Sequence, residues 1–267
     1  MNIALIGYGK MGKMVEQAAI AQGHSITVIV DPFAANGANG ASPAKLPAAQ
    51  IAKTIADADF TSVDAAIEFT QPDTAVANIL ALAERKIPAV IGTTGWHDRI
   101  GEVTKAVEKA GSSLLWASNF SIGVNMFYRI AWHAAELANN FSEYDAGGFE
   151  IHHNKKIDSP SGTAKVLAEG ALSRLGRKNK IVWETMNRKP EADELHFPSL
   201  RMGSVPGTHS LFFDSGADTI EVTHTARNRE GFASGAVRAA EWLCAGSRRG
   251  VFTIDDMMNE LFSKIRG

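Results

Sequence analysis

Residues 2–32 read NIALIGYGKMGKMVEQAAIAQGHSITVIVDP, and this stretch decides the fold of the N-terminal half. A short apolar run, IALI, ends in glycine, a segment with helical spacing of apolar residues follows, and SITVIV is a second apolar run. The pattern predicts a strand, a tight turn, a helix that ends near Gly23, and a second strand. Strands joined through a helix are expected to lie parallel, because parallel neighbours need a crossover connection.

The same alternation of strand and helix continues to about residue 120. Three more apolar runs are predicted strands (63–69, 87–92 and 113–118), and two stretches with helical spacing lie between them (73–86 and 99–111). Residues 1–121 are therefore predicted to form an α/β dinucleotide-binding domain with a Rossmann-like, doubly wound parallel sheet. Residues 32–55 are rich in Ala, Gly, Pro and Asn, and predict a long surface loop with a poorly formed second crossover helix.

The pattern changes after residue 121. One long helix, a strand, a helix from Gly162 and two strands joined by a hairpin are predicted (121–141, 144–153, 162–170, 209–215 and 219–226). This order indicates an α+β domain with a mixed sheet over residues 122–241. Residues 242–267 are predicted to be C-terminal helices that either close this domain or pack back on the first.

Composition excludes several classes of function. A formal net charge of -2 gives no general electrostatic reason to bind nucleic acid or an anionic membrane. Cys244 is the single cysteine, so an intramolecular disulfide and a cysteine-based zinc site are both excluded. The first residues lack the pattern of a signal peptide, and no apolar run has the length of a membrane span. We expect a cytoplasmic protein.

The segment GYGKMG places Gly7, Gly9 and Gly12 directly after the first predicted strand. Glycines in this pattern let the backbone approach a pyrophosphate at a helix N-terminus, although a tight turn without a ligand has the same pattern. Asp31 ends the second strand, where an acidic residue binds ribose hydroxyls or simply caps a turn. Because Pro32 follows and Lys10 is the one nearby cation, we expect NADH to be preferred and NADPH to be tolerated.

Three further turns follow predicted parallel strands: EFTQP, GTTG and ASNFSIGVN. Ligands of open parallel sheets bind outside the carboxyl ends of the strands, so these turns are candidate cofactor contacts. Ordinary loop chemistry explains small and polar residues there equally well. The candidates are Thr70, Gly92, Thr93, Thr94, Ala117, Asn119 and Phe120.

Residues 148–170, GFEIHHNKKIDSPSGTAKVLAEG, combine two histidines, two lysines and a helix start. In an extended segment Glu150 and His152 share one face and His153 points to the other, so the adjacent histidines make a poor metal chelate and we expect no metal. Ser159 or Ser161 is the expected N-cap, with amides of the first helical turn available to an anion. The cluster suits a small anionic substrate that receives a proton, although a solvated loop before a capped helix has the same composition.

The motifs quoted above resemble the 4-hydroxy-tetrahydrodipicolinate reductase family, also called dihydrodipicolinate reductase. Two further stretches carry the same resemblance, SLRMGSVPGTHSLFF (199–213) and HTARNREGFASGAVRAAEWL (224–243), so that it covers essentially the whole chain. The glycine fingerprint is common to many dehydrogenases, whereas the H-H-x-x-K-x-D-x-P-S-G-T block is specific to this family. The resemblance implies hydride transfer from NADH or NADPH to a small cyclic dicarboxylate in lysine and diaminopimelate biosynthesis. It also implies a homotetramer built through the second domain.

The resemblance also assigns roles to residues. It implies that His152 and Lys156 take part in catalysis. It implies that His153, Gly162 and Thr163 bind the substrate. Cofactor binding falls on the glycine loop, on Asp31 and on the turns after the strands: Gly7, Tyr8, Gly9, Lys10, Met11, Gly12, Asp31, Thr70, Gly92, Thr93, Thr94, Ala117, Ser118, Asn119 and Phe120.

Two departures from the family pattern affect the cofactor. The glycine loop is one residue shorter than the family's common G-x-x-G-x-M-G form, and Asp31-Pro32 replaces an acidic residue followed by arginine. Two other functions share the N-terminal pattern. Another nicotinamide-dependent dehydrogenase, of amino acids or aldoses, would not need the block at residues 152–163, and a non-enzymatic NADH sensor would need an output module that the sequence does not contain.

Overall fold

The computed structural model describes residues 1–35 and 49–263. The chain divides into two compact units. The first unit consists of Met1–Ser121 together with the chain from Glu230 onward, and the second consists of Ile122–Arg229. Most of the segment predicted as a long loop, residues 36–48, lies outside the described residues.

The first unit is built on a seven-stranded sheet in which every neighbouring pair is parallel. The strands run in the order β13-β6-β5-β4-β1-β2-β3. Their bounds are β1 Asn2–Ile6, β2 Ser25–Val30, β3 Gln50–Ala52, β4 Ala65–Glu68, β5 Ala89–Ile91, β6 Ser113–Trp116 and β13 Gly250–Thr253. This arrangement confirms the predicted Rossmann-like fold class.

Helices connect these strands, and their bounds are α1 Lys10–Ala21, α2 Pro32–Ala35, α3 Pro72–Glu84, α4 Ile100–Ala110, α7 Glu230–Ala245 and α8 Ile254–Ser263, with short 3-10 turns at Ile55–Asp57 and His97–Arg99. From β1 the chain moves outward through α1 to β2, and from β4 it moves in the opposite direction through α3 to β5. Because such crossovers are right-handed, α1 and α3 cover opposite faces of the sheet. The order reverses between β1 and β4, and open parallel sheets bind their ligands at the carboxyl ends beside such a reversal.

Helix α7 packs against α1 and β4 of the first unit. The boundary predicted at residue 241 lies inside α7, whereas the compact units divide before Glu230. The physical reason is the apolar face of α7, where residues such as Ala236, Val237 and Ala240 are fully buried. The C-terminal segment also contributes β13, which pairs with β6 and which the sequence analysis missed.

The second unit contains a six-stranded mixed sheet with the order β12-β11-β7-β9-β8, and β10 also pairs with β7. Its strands are β7 Asp145–His152, β8 Lys180–Val182, β9 Glu194–His196, β10 Ser199–Arg201, β11 Thr208–Asp214 and β12 Thr219–Thr225, and its helices are α5 Ile122–Ala138 and α6 Gly162–Leu172. Strand β11 is antiparallel to both β7 and β12, while β9 and β10 run parallel to β7. The predicted hairpin and mixed sheet are confirmed.

The core of the second unit lies between the helices α5 and α6 and one face of the sheet. Ala131 and Ala135 of α5, Leu167 of α6, and Leu211 and Phe213 of β11 are fully buried in one apolar cluster. Within the two described ranges, no helix combines the length and the apolar character needed to cross a membrane.

Candidate active site

The turn after β1 has no room for side chains at two of its three glycines. Gly7 has a φ of +89°, which favours glycine, and a Cβ there would lie 2.2 Å from the carbonyl oxygen of Phe69. A Cβ on Gly12 would lie 2.3 Å from the carbonyl oxygen of Gly7. These two glycines therefore allow α1 to start directly against β1 and β4.

The middle glycine differs, because a Cβ on Gly9 would meet nothing within 4 Å. Gly9 is also the N-cap of α1, and it has no side chain to cap the first amides of the helix. Lys10 and Met11 form the first turn, and Tyr8 is buried with its hydroxyl bound to Glu16. An open, uncapped helix start fits a pyrophosphate, since helix N-terminal amides and the helix dipole both favour an anion.

Asp31 is buried, and backbone amides surround its carboxylate. One oxygen accepts the amides of Phe33 and Ala34, and the other accepts the amide of Tyr8, all at 2.8 Å. Asp31 therefore caps α2 and at the same time holds the glycine loop at the end of β2. The capping role predicted for Asp31 is thus present in the structure, and the binding of ribose hydroxyls by Asp31 stays a prediction.

The turns after β4 and β5 pack around Phe69. A Cβ on Gly92 would lie 2.0 Å from the Phe69 ring, so Gly92 makes space for that ring. The amide of Thr70 donates to the hydroxyl oxygen of Thr93 at 2.8 Å, which ties the two turns together. The fully buried Glu68 accepts the Thr70 hydroxyl, and burial raises the pKa of the Glu68 carboxyl although this hydrogen bond opposes the rise.

The remaining cofactor candidates lie in the turns after β5 and β6. Ala117 and Phe120 are buried, Thr94 and Ser118 are exposed, and the Asn119 side chain accepts the amide of Ser121 at 2.9 Å. Trp116, which the sequence analysis did not assign to the site, packs edge-to-face on Trp96 with ring centroids 6.2 Å apart. The structure thus places the predicted cofactor residues of the first unit at the carboxyl edge of its parallel sheet.

In the second unit, strand register brings four ionisable side chains to one face of the mixed sheet. Glu150 and His152 are two residues apart on β7, as the alternation in the sequence predicted. His209 of β11 pairs directly with Glu150, and Arg201 of β10 pairs directly with His152. Because paired residues share a face of the sheet, all four side chains meet.

Glu150 is the centre of this cluster, and its side chain is fully buried. One carboxylate oxygen contacts Nδ1 of His152, and the other accepts Nη2 of Arg201 at 2.7 Å and the amide of Ser161 at 3.1 Å. Burial works against ionisation, but the hydrogen bonds from His152 and Arg201 outweigh it and lower the pKa of Glu150 to about 2. Glu150 is therefore an anion at neutral pH.

His209 is neutral at physiological pH. Burial, assisted by the neighbouring charge of His152, lowers the pKa of His209 to about 3. Its Nε2 lies 3.1 Å from the hydroxyl oxygen of Ser161, which itself accepts the amide of Ala164 at 3.1 Å. The hydroxyl hydrogen of Ser161 is then available to donate to His209.

The residues that follow β7 form the turn before α6. The amide of His153 donates to the carbonyl of Val205 at 2.8 Å, and the His153 side chain is half-buried. The ammonium of Lys156 pairs with Asp158 at 2.8 Å. Lys156 contributes to the lowered pKa of His209, so its charge acts on the cluster.

Helix α6 begins beside this cluster. Ser161, rather than Ser159, is its N-cap, and Gly162 and Thr163 are its first two residues. A Cβ on Gly162 would meet nothing within 4 Å, so the helix start has open space in front of it. The helix dipole places partial positive charge there.

The same cluster raises the question of a metal. One ligand atom each from Glu150, His152 and His209 lie within 4.8 Å of one another. However, Arg201 and Ser161 already bind one oxygen of the Glu150 carboxylate, and the other oxygen contacts the ring of His152. A guanidinium beside the carboxylate opposes a second cation electrostatically. The donor set therefore fits proton transfer better than metal binding, and the absence of a metal stays a prediction.

Four residues of the two sites were missed as functional candidates from the sequence. Glu150 was assigned to the face of His152 but given no role, and Arg201, His209 and Glu68 were not singled out. A buried acidic residue inside an apolar strand was the available signal for Glu68 and Glu150, because an isolated buried carboxylate is costly without partners. Arg201 and His209 gave no local signal, since their partners are 51 and 48 residues away.

Comparison with known proteins shows the family of the chain. Residues 1–120 match the family model described as dihydrodipicolinate reductase, N-terminus, and residues 123–258 match the model described as dihydrodipicolinate reductase, C-terminus. A 4-hydroxy-tetrahydrodipicolinate reductase of Christiangramia forsetii is 37% identical over 262 residues, which cover 98% of this chain and 99% of the relative. A protein of the same name from Archaeoglobus fulgidus is 34% identical and covers 97% of this chain and 100% of the relative.

Solved structures show the same fold. The dipicolinate-bound dihydrodipicolinate reductase from Paenisporosarcina sp. TG-14 superposes with a TM-score of 0.74 at 19% identity and covers 95% of this chain and 97% of that one. A scyllo-inositol dehydrogenase from Lactobacillus casei has a TM-score of 0.58 at 10% identity and covers 97% of this chain and 89% of that one, so it shares the fold alone. With both family models matched across nearly the whole sequence and full-length relatives above 30% identity, the chain belongs to the dihydrodipicolinate reductase family.

Proposed function

We propose that this protein reduces 4-hydroxy-tetrahydrodipicolinate to tetrahydrodipicolinate with NADH or NADPH, as a step of lysine and diaminopimelate biosynthesis. Two relatives that carry the name of this reductase align with nearly the whole chain. The observation that carries the proposal is the block 152–163, in which a buried histidine, an ammonium group and a capped helix start lie together. An inositol or aldose dehydrogenase has no need of this block.

Reduction of this substrate needs a proton as well as a hydride. When bound, the reduced nicotinamide supplies the hydride to the conjugated C=C/C=N system that forms after the ring hydroxyl leaves as water. Negative charge then develops towards the ring nitrogen, and a positioned acid must neutralise it. His152 and Lys156 are the two candidates for this acid, and His152 lies on a rigid strand with its Nδ1 held by Glu150.

Two substrate carboxylates need partners of opposite charge. The start of α6, with Gly162 and Thr163, offers the positive end of a helix dipole, and His153 and Lys156 lie in the preceding turn. The exposed position of Gly162 leaves space for an oxygen to approach the backbone. We assign these residues to substrate binding.

In the first unit, the open helix start at Gly9 would hold the pyrophosphate, and Asp31 would hold the ribose hydroxyls. The turns at residues 92–94 and 117–120 would contact the nicotinamide half. We infer a preference for NADH, because Asp31 is a buried carboxylate followed by proline and would repel a 2'-phosphate. Lys10 is exposed and would allow NADPH to be used less efficiently.

We also infer that the protein assembles as a homotetramer through the mixed sheet of the second unit. Residues of β11 alternate between the two faces of the sheet, so Phe212 lies opposite the core residues Leu211 and Phe213. Phe212 stacks on Phe149 with ring centroids 5.7 Å apart, and both rings are half-buried. Light scattering coupled to size-exclusion chromatography tests this, and a monomeric mass at micromolar concentration contradicts it.

A coupled assay tests the activity. A separate synthase generates the substrate in place from pyruvate and aspartate semialdehyde, and the loss of NADH or NADPH absorbance is followed. We expect rapid oxidation that depends on the synthase, with a higher kcat/KM for NADH. Binding of NADH without synthase-dependent oxidation would overturn the proposed reaction and favour another substrate or a sensor.

A further inference from the structure

We propose that Glu150 is the positioning residue for His152: its carboxylate fixes the proton of the imidazole on Nδ1 and leaves Nε2 as the atom that exchanges a proton with substrate. This assignment rests on the proposed function for the identity of the substrate. It does not rest on that function for the state of the imidazole, which can be measured in the protein alone.

The direction of the hydrogen bond between Glu150 and His152 supports this role. A carboxylate only accepts, and Glu150 is an anion, so the contact between its oxygen and Nδ1 of His152 requires a proton on Nδ1. In the neutral imidazole Nε2 is then an acceptor, and in the protonated imidazole it is a donor. Glu150 therefore decides which nitrogen of His152 carries out proton transfer.

The carboxylate of Glu150 is also held rigidly. Nη2 of Arg201 and the amide of Ser161 bind one oxygen of Glu150, which fixes the plane of the carboxylate and turns the other oxygen towards His152. Arg201 also donates to the carbonyl of Asp158 at 2.8 Å, which joins the turn that carries Lys156 to the same arginine. Glu150 thus fixes the position of the imidazole relative to β10 and to the start of α6.

The space around Nε2 also supports this role. A Cβ on Gly207 would lie 2.8 Å from Nε2 of His152, so any larger residue at this position would press on that nitrogen. The ring of His209 meets His152 edge-on with centroids 5.1 Å apart. Nδ1 of His152 is consequently enclosed by Glu150, while Nε2 faces the backbone of a glycine.

The charges that face His152 come from every strand and turn packed around it. Glu150 of β7 is negative, Arg201 of β10 is positive, and His209 of β11 is neutral because burial lowers its pKa to about 3. Lys156 is positive and is paired with Asp158. Among the described residues in contact with the ring, Glu150 is thus the one anion that can hold the imidazole proton.

The test is Glu150→Gln, which keeps the size of the side chain. The glutamine oxygen would accept Arg201 and Ser161, and its NH2 group would then point at Nδ1 of His152 as a donor. The neutral imidazole must respond by moving its proton to Nε2. We expect ¹⁵N NMR of labelled histidine to report an Nδ1-H tautomer for His152 in the wild type and an Nε2-H tautomer in the variant.

Turnover gives the second readout. We expect kcat to fall about 10²- to 10⁴-fold in Glu150→Gln, because a histidine in the wrong tautomer cannot perform its proton transfer. The Kd for NADH should not change. The matched control is Glu194→Gln, another buried carboxylate of the same unit, whose ion pairs are with Arg188 and Lys180. This control should keep wild-type turnover and the Nδ1-H tautomer of His152.

These measurements test the proposed reaction and the positioning role of Glu150 separately. Absence of turnover in the wild type would reject the proposed reaction, while the tautomer measurement would still decide the role of Glu150. An Nε2-H tautomer in the wild type would overturn the positioning role even if Glu150→Gln did not fold. A folded Glu150→Gln protein with the Nδ1-H tautomer and a kcat within about threefold of wild type would overturn it as well.

Discussion

Substituting alanine at two glycines of one turn separates the packing role of the turn from its binding role. In Gly12→Ala the new Cβ would lie 2.3 Å from the carbonyl oxygen of Gly7, whereas an ordinary contact begins at 3.4 Å. The overlap of about 1 Å must move α1 away from β1, and overpacking of this kind costs about 1–3 kcal/mol. Since 1 kcal/mol shifts Tm by about 2–4 °C in a protein of this size, we expect Tm to fall by about 2–12 °C.

Gly9→Ala should leave the stability of the protein nearly unchanged and should weaken the binding of NADH. Its φ of -77° and ψ of -153° suit alanine, and the added Cβ meets nothing within 4 Å, so stability should change by no more than about 0.5 kcal/mol. If a pyrophosphate approaches this backbone, the methyl group will occupy its space. A steric cost of about 1–3 kcal/mol corresponds to a Kd for NADH raised about 5- to 150-fold.

Both variants are checked by thermal unfolding and by titration of NADH fluorescence. Gly101→Ala is the matched control, because Gly101 lies exposed in α4 of the same unit and its Cβ would also meet nothing within 4 Å. The control should bind NADH normally, with equal or slightly higher Tm. An unchanged Kd in Gly9→Ala would refute the placement of the cofactor phosphates at this turn.

Three further predictions concern the second unit. His152→Gln and Lys156→Ala should each lower kcat about 10²- to 10⁴-fold without weakening NADH binding; steady-state kinetics with a cofactor titration checks this, and near-normal turnover removes the catalytic role of that residue. Gly207→Ala should displace the imidazole of His152, since the new Cβ would lie 2.8 Å from Nε2, about 0.6 Å closer than the 3.4 Å at which an ordinary contact begins. Because a misplacement of about 1 Å costs about 10²-fold in kcat, we expect kcat to fall by up to about 10²-fold, and wild-type kcat in a folded variant would contradict the packing. Ionised Glu150 should stabilise the fold fully above its ordinary pKa of 4.5, and this stabilisation should be lost as pH falls towards about 2. Urea unfolding between these pH values should therefore show a steeper loss of stability in the wild type than in Glu150→Gln, and equal slopes would argue against the lowered pKa.

Local sequence patterns were sufficient for most of the fold. Strands β1, β2, β4, β5 and β6 lie in apolar runs separated by stretches with helical spacing, so both their existence and their parallel orientation could be predicted. The strands that were missed are β3, β8, β9, β10 and β13. The predicted β4, β5 and β6 are equally short but almost wholly buried, whereas the missed strands carry mixed polar and apolar residues, and pairing with distant strands, such as β13 with β6, stabilises them.

The candidate site of the second unit was also predicted only in part. The alternation along β7 was enough to place Glu150 and His152 on one face, and the helix start was enough to indicate a serine cap. The partners that give these residues their chemistry come from other strands. Arg201 and His209 reach the cluster through the register of β10 and β11, which a single sequence does not specify.

Transfer of hydride from the cofactor to the ring of the substrate can be followed with an isotope label. NADH deuterated at the transferable position of the nicotinamide is supplied together with synthase, pyruvate and aspartate semialdehyde, and the product is analysed by mass spectrometry. We expect tetrahydrodipicolinate that carries one deuterium, and about 10²- to 10⁴-fold less of it when His152→Gln replaces the wild type in the same short reaction. Oxidation of the cofactor without deuterium in the product, or no oxidation at all, would show that this hydride transfer does not take place.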